Sequence, residues 1–482
     1  VIKRRLRAAL CLLTGAIALA CPCTLAGLIS GTGRATSEVY TLPLRLPTTA
    51  TAPFCPSEVQ GTVAVSPRAS LLKRIGQFAG PGLLVSIGYM DPGNWATDIA
   101  AGSQFGYSLL FVVVLSSVAA IVLQCLSMRL GLVTGRDLAQ LSRERYTKPF
   151  ARGQWVLAEL SIIACDLAEV LGGALAFHLL LGCSLTVGIG LTAFDTLIVL
   201  GLKGKNFRTL EAIMAGLVAT IGLGYAVQLA LVEPHWPSVV GGLIPSWHAL
   251  DSRVPLYLAI GILGATVMPH NLYLHSSIVQ TRAVQRDSKS IASAIGLSRI
   301  DTIVSLVLAL LINAAILILA AAAFHDTGHH DVTDIEQAFR LLAPIVGTSA
   351  AAVLFGITLL ASGQSSTFTG TVAGQVIMEG FLQMKIPCWQ RRLITRVLAL
   401  IPAFAGVALL GNDAVGRLLV ASQVVLSLQL PFALWPLIRM TGDRALMGEF
   451  VNRTLTRVLA WSLFALISAA NLWLVLQTFG MG

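Results

Sequence analysis

From Leu72 onward the chain carries eleven apolar segments, each about the length that crosses a bilayer as a helix. Their approximate limits are 75–101, 107–132, 152–182, 185–202, 209–231, 254–280, 291–323, 343–380, 390–410, 413–438 and 455–478. So much contiguous apolar chain has no soluble solution: in hydrocarbon every backbone polar group must bond within the protein, so helices are the solution expected. Charge agrees, because only 12% of the 482 residues are charged, far below the roughly 25% of soluble domains. The chain is therefore expected to be an all-α integral membrane protein with about eleven transmembrane helices in one domain, about 71–480.

The connecting loops alternate in charge. One set holds Arg136, Arg143, Arg145, Lys148 and Arg152; Lys203, Lys205 and Arg208; Arg282, Arg286 and Lys289; Lys385, Arg391, Arg392 and Arg396; and Arg439, Arg444, Arg453 and Arg457. The other set has only Arg253, Arg340 and Arg417 as basic residues. The positive-inside rule assigns the first set to the cytoplasm, which places the N-terminal side inside and the C-terminus outside a cell inner (plasma) membrane. The net charge of +10 is absorbed by these loops and requires no nucleic acid.

Two segments are interrupted near their middle, one by Asp91-Pro92-Gly93-Asn94 and one by Met268-Pro269-His270-Asn271. Each proline removes a backbone donor and clashes with the preceding turn, so both helices should open there. Opened backbone at membrane depth is tolerated where it lines a cavity within the protein. The broken segments are the first and sixth, five spans apart. That spacing gives a five-plus-five inverted repeat, about 72–232 and 252–440, with substrate held where the two discontinuous helices meet and an eleventh helix, about 455–478, outside the repeat.

The residue types at the breaks suit a transition-metal dication. Asp91 supplies a charged oxygen and Asn94 a neutral one, and carbonyls freed near Gly88 and Ala265 add more. Oxygen ligands alone suit magnesium or calcium equally well. The soft thioether of Met268 shifts the preference toward manganese, iron, cobalt and cadmium. His270 reads as a proton-accepting group, since imidazole titrates near physiological pH. Asp166 and Glu169, three residues apart on one helix face, read as a proton relay partnered by Arg391, Arg392 or Arg396, and His275 as a further member of that wet pathway.

Other features read blandly. The eight cysteines are scattered, and Cys21-Pro22-Cys23 lacks a second pair at metal-site spacing. His325, His329 and His330, beside Asp326, Asp331 and Asp334, read as a solvated loop, with metal collection at the entrance as the alternative. Glu379 reads as a helix-end or gate residue, and Gln364, Ser365 and Ser366 as interhelical hydrogen-bond donors. Residues 1–70 begin with a basic then apolar run like a secretory signal, but the Thr/Pro/Ser-rich stretch that follows favours a disordered or gene-model extension.

Five segments in order carry a resemblance: Met90-Asp91-Pro92-Gly93-Asn94-Trp95-Ala96-Thr97-Asp98, Asp166-Leu167-Ala168-Glu169-Val170, Met268-Pro269-His270-Asn271-Leu272-Tyr273-Leu274-His275-Ser276, Gly363-Gln364-Ser365-Ser366-Thr367, and the run from Ser422-Gln423 to Leu430-Pro431. Residues 72–480 resemble the Nramp family of proton-coupled manganese and iron transporters, its bacterial branch above all. The resemblance implies the LeuT-like fold, alternating access, and metal ligation by Asp91, Asn94 and Met268 with the Ala265 carbonyl. It adds Gln423 as a residue approaching the metal, and it places Asp91, Asp166, Glu169, His270 and the Arg391 or Arg392 region on a proton pathway.

The expected activity is symport of manganese(II) or iron(II) with protons into the cytoplasm, by a protein that functions as a monomer in the lipid bilayer, has no prosthetic group and is not an enzyme. Three rivals remain at this stage. They are a sodium-coupled amino-acid carrier of the same architecture, a divalent metal channel, and an intramembrane metalloenzyme using Asp91, His270 and His275.

Overall fold

The computed structural model describes residues 59–66, 69–194, 207–383, 388–411 and 414–478. The expectations for residues 1–58, including Cys21 and Cys23, lie outside the described residues, as do residues 195–202 of the fourth span and the side chains of Arg391 and Arg392.

The first span arrives in pieces: α1 (Leu71–Phe78), α2 (Pro81–Gly88) and α3 (Pro92–Phe105). Span 2 is α4 (Leu110–Thr134), followed by the short α5 (Leu138–Arg145). Span 3 is α6 (Lys148–Leu181), α7 (Leu185–Thr192) opens span 4, and span 5 is α8 (Phe207–Val232). After a short α9 (Trp236–Gly242), span 6 comes as two halves, α10 (Arg253–Val267) and α11 (Pro269–Ile278). Span 7 is α12 (Ser288–Ala320), prolonged by a π turn at Ala321–His325. Then come α13 (Ile335–Val346), span 8 as α14 (Ser349–Leu382), span 9 as α15 (Cys388–Leu410), span 10 as α16 (Ala414–Thr441), a short α17 (Arg444–Met447) and span 11 as α18 (Thr454–Thr478).

Both predicted breaks are present, and both fall at a proline that becomes the first residue of the following half-helix, where its missing N–H costs nothing. The predicted eighth segment, 343–380, is corrected. Gly347 takes a left-handed conformation (φ +77°) and ends α13, an amphipathic helix, before α14 begins at Ser349. Ordered structure also begins before Leu71: Val63–Ala64 (β1) pairs in parallel with Arg282–Ala283 (β2), which ties the chain before span 1 to the connection after span 6. Large apolar side chains such as Leu223, Leu311 and Leu466 stay exposed around the perimeter, as a lipid-facing surface requires.

Two devices hold the frame. At the α1–α2 junction, Gly80 (φ +136°) and Gly82 donate their backbone N–H groups to the two Asp301 oxygens at 3.1 and 2.6 Å. There Arg282 bonds the Ala79 carbonyl at 2.6 Å and pairs with Glu211 at 2.7 Å. The second is a glycine stripe at a seven-residue interval along α14. Gly356 faces Leu180, Gly363 faces Gly173, and Gly370 faces Glu169 and Asp166, so α14 lies antiparallel and close against α6.

Candidate metal centre

At the first break Asp91 caps α3 in extended conformation, and its Oδ1 accepts from the Asn94 backbone N–H at 2.9 Å and from Asn94 Nδ2 at 2.6 Å. The carbonyls that opening frees are taken by other spans: Asn313 Nδ2 of α12 donates to the Tyr89 oxygen at 2.7 Å, and Ser362 Oγ of α14 donates to that of Met90. At the second break Met268 joins α10 to α11 with φ +35°, a region a non-glycine residue rarely adopts. Its Sδ receives the Asn271 Nδ2 at 3.5 Å.

The two breaks meet. Asn94 Nδ2 also donates to the Ala265 carbonyl at 3.0 Å, which ties α3 to α10. Span 10 closes over them by glycine contacts on both sides. A Cβ on Gly93 would stand 1.7 Å from Gln423 Nε2 and 3.0 Å from Asp91 Oδ2, and one on Gly264 would stand 2.4 Å from the Gln423 carbonyl. Gly88 ends α2 against Asn271, whose Nδ2 lies 2.4 Å from where its Cβ would be. Asp91, Asn94, Ala265, Met268 and Gln423 are all buried to 1% exposure or less. Asp91 Oδ2 and Gln423 Oε1 are buried acceptors without a hydrogen-bond donor. Two unmet buried acceptors brought together at the first break suit a cation, and the thioether of Met268 at the second break is the soft donor the chain offers.

The proton-pathway candidates separate into two networks. Cys165 Sγ lies 3.6 Å from Glu169 Oε1 and 3.8 Å from His270 Nε2, so a chain of polar atoms runs from α6 to the start of α11. Asp166 and Glu169 face Gly370 on α14. His275 belongs elsewhere: its Nδ1 bonds Gln124 Oε1 at 2.9 Å, and Gln124 Nε2 donates to the Tyr89 hydroxyl at 2.8 Å, which leads back to the first break. Arg396 is buried and donates to the Thr192 carbonyl of α7 at 3.0 Å.

Sequence reasoning missed Asn313 and Ser362. A single polar residue in a long apolar run is their only signal, and many such residues bond to their own helix. Ser365 and Ser366 do so, to the carbonyls of Ser362 and Gly363, whereas Ser362 one turn earlier donates across to another span. Among the described residues no group of three His, Cys, Asp or Glu side chains is arranged to hold a metal.

The profile of the Natural resistance-associated macrophage protein-like family matches residues 82–477, the stretch that contains both breaks and everything packed on them. The chain belongs to the Nramp family. Nramp relatives include the "Divalent metal cation transporter MntH" of Ralstonia nicotianae, 72% identical across 91% of this chain and 99% of that protein. Another is the "Divalent metal cation transporter MntH 1" of Pseudomonas aeruginosa, 69% identical across 90% and 99%. The solved manganese transporter of Eremococcus coleocola superposes with a TM-score of 0.81 at 38% identity, covering 86% of this chain and 89% of that one. Two more distant structures share the fold: Mhp1, a nucleobase-cation-symport-1 family transporter (TM-score 0.54, 16% identity, 84% and 94% covered), and MhsT (0.51, 17%, 82% and 97%). This Nramp chain is therefore a multi-pass membrane transporter of the LeuT-like fold, and not an enzyme.

Proposed function

We propose that the protein imports manganese(II) or iron(II) together with protons, by alternating access about the two broken helices. The observation that carries this reading is the convergence of Asp91, Asn94, the Ala265 carbonyl and Gln423 at one buried point between the breaks, with Met268 buried at the second break three residues after Ala265. Relatives named as divalent metal cation transporters and a manganese transporter support the cargo class. In this geometry the Asn94 amide nitrogen bridges Asp91 and Ala265, where a positive charge is most stabilised. A metal ion takes that place when the amide turns its oxygen inward, and Met268 then biases the site against hard, strongly hydrated calcium and magnesium. Cobalt and cadmium are admitted for the same reason.

Protons travel with the metal but leave by another route. Asp91 at the site, His270, Asp166 and Glu169 would carry them, with Cys165 standing between Glu169 and His270, and the family resemblance assigns Arg391 and Arg392 to the same route; His275 would serve a separate branch through Gln124 and Tyr89. The basic loops face the cytoplasm of the cell inner membrane, with the C-terminus outside. A single chain carries the whole site and works as a monomer.

Purified protein in proteoliposomes is the test. Manganese uptake should saturate and be accompanied by acidification of the lumen, and folded Asp91→Ala should abolish both. Met268→Ala should keep manganese uptake while letting calcium compete. Non-saturating flux would instead identify a channel, and uptake by Asp91→Ala at the wild-type rate would refute the site.

A further inference from the structure

A second set of metal-type donors stands apart from the central site, at the end of α3 farthest from Asp91. The π turn at Ala321–His325 swings His325 back over Gly106, whose missing side chain makes room: a Cβ there would lie 3.0 Å from the imidazole Cδ2, and Gly106 has φ +57°. In this seat His325 Nδ1 is 2.9 Å from the Ser103 carbonyl oxygen and 3.1 Å from His330 Nδ1. The two rings meet edge to face with centroids 4.5 Å apart. Loop and helix are stitched together around the contact, since Ser103 Oγ donates to the His329 carbonyl at 2.9 Å and accepts from the Val332 N–H at 3.2 Å.

Three electron-pair donors packed this closely are poorly served by protons alone. One N–H on His325 is split between the Ser103 oxygen and His330, and an N–H on His330 leaves the His325 lone pair facing the carbonyl. A metal ion satisfies all three at once. With metal–nitrogen bonds of about 2.1 Å, neighbouring ligands at a right angle stand about 3.0 Å apart, and the two observed separations are 2.9 and 3.1 Å. Imidazoles select transition metals over calcium and magnesium. Ser103 lies nine residues beyond Asn94 on the same half-helix, roughly 14 Å along its axis.

We propose that His325, His330 and the Ser103 carbonyl form a second transition-metal site that loads cargo onto the half-helix leading to Asp91. The remaining coordination positions are open to water, because the loop is exposed over Asp326–Asp331 and Tyr107 holds one Asp326 oxygen at 2.9 Å. The role of loading site rests on the metal-transport reading above, whereas the binding itself does not.

Equilibrium dialysis of the full chain in detergent against cobalt(II), with its visible absorption as second readout, separates the two. Wild type should hold two ions per chain. The variant Asp91→Ala with Met268→Ala should hold one, with imidazole-type absorption, and adding His325→Ala and His330→Ala should remove it. The two histidine changes alone should leave one ion and raise the KM for uptake roughly tenfold, more than they lower the maximal rate. If the double histidine chain does not fold, His330→Gln, at an exposed position, carries the same test. No bound ion in Asp91→Ala with Met268→Ala, or two ions in the histidine variant, overturns the loading site. Two ions in Asp91→Ala with Met268→Ala would overturn the central site instead.

Discussion

At the scale of single residues, Gly93 carries the sharpest demand. Its missing side chain is the space in which Gln423 lies over the break. Gly93→Ala must push that amide aside, and because Gln423 is flexible the protein should fold while the site loses a donor. Uptake measured against manganese concentration should show KM raised by about tenfold or more, or about 1.4 kcal/mol, with the melting temperature little changed. An unaltered KM would remove Gln423 from the site. A different residue sets a pH dependence on the basic face. Asp137 caps α5 in a capping box with Gln140, and burial pushes its carboxyl up to about 7, with Glu379 adding to the rise and the Gln140 and Ala139 N–H groups and Arg143 opposing it. Because the folded value exceeds the unfolded one, its contribution to stability is full below about pH 4 and fades as pH rises through about 7. Asp137→Asn keeps the cap and should flatten that part of the stability profile in thermal melts between pH 4 and 7.

At the scale of elements, the interruptions were legible because proline inside an apolar run has one physical outcome, and both Asp91 and Met268 were found at the opened backbone. The packing that surrounds them was not. Gly356, Gly363 and Gly370 recur at intervals of seven, yet only the antiparallel approach of α6 reveals that they make one contact surface. A Cβ on Gly363 would sit at 3.5 Å from the Gly173 nitrogen, an ordinary contact. Gly363→Ala should therefore be tolerated, while Gly363→Leu should force the helices apart at a cost of roughly 1–3 kcal/mol and slow transport. Equal melting temperatures for the two variants would mean that α14 and α6 pack less closely than described. Asn313 and Ser362 were illegible for a related reason: each bonds a carbonyl freed on a different span, and sequence carries no sign of which polar residue in a helix faces another helix.

At the scale of the whole molecule, a site between two half-helices makes the membrane potential part of the energetics. Moving a dication inward down 100 mV is worth roughly 4.6 kcal/mol, on the order of a thousandfold in accumulation. Manganese uptake into proteoliposomes should rise steeply when a potassium gradient makes the lumen negative, and electroneutral uptake would contradict net inward movement of charge. The sequence by itself determined that the chain lives in a bilayer, that spans 1 and 6 open at Asp91 and Met268, and which donors lie at each break, because hydrophobic length, proline geometry and side-chain chemistry are local properties. Only the tertiary structure decided that Asn94 bridges Asp91 to Ala265, that Gln423 closes the pocket through Gly93, that His275 answers to Tyr89 rather than to Glu169, and that His325 meets His330 over Gly106. Each of these contacts joins residues distant in the chain, and their distance in space is set by how the helices pack.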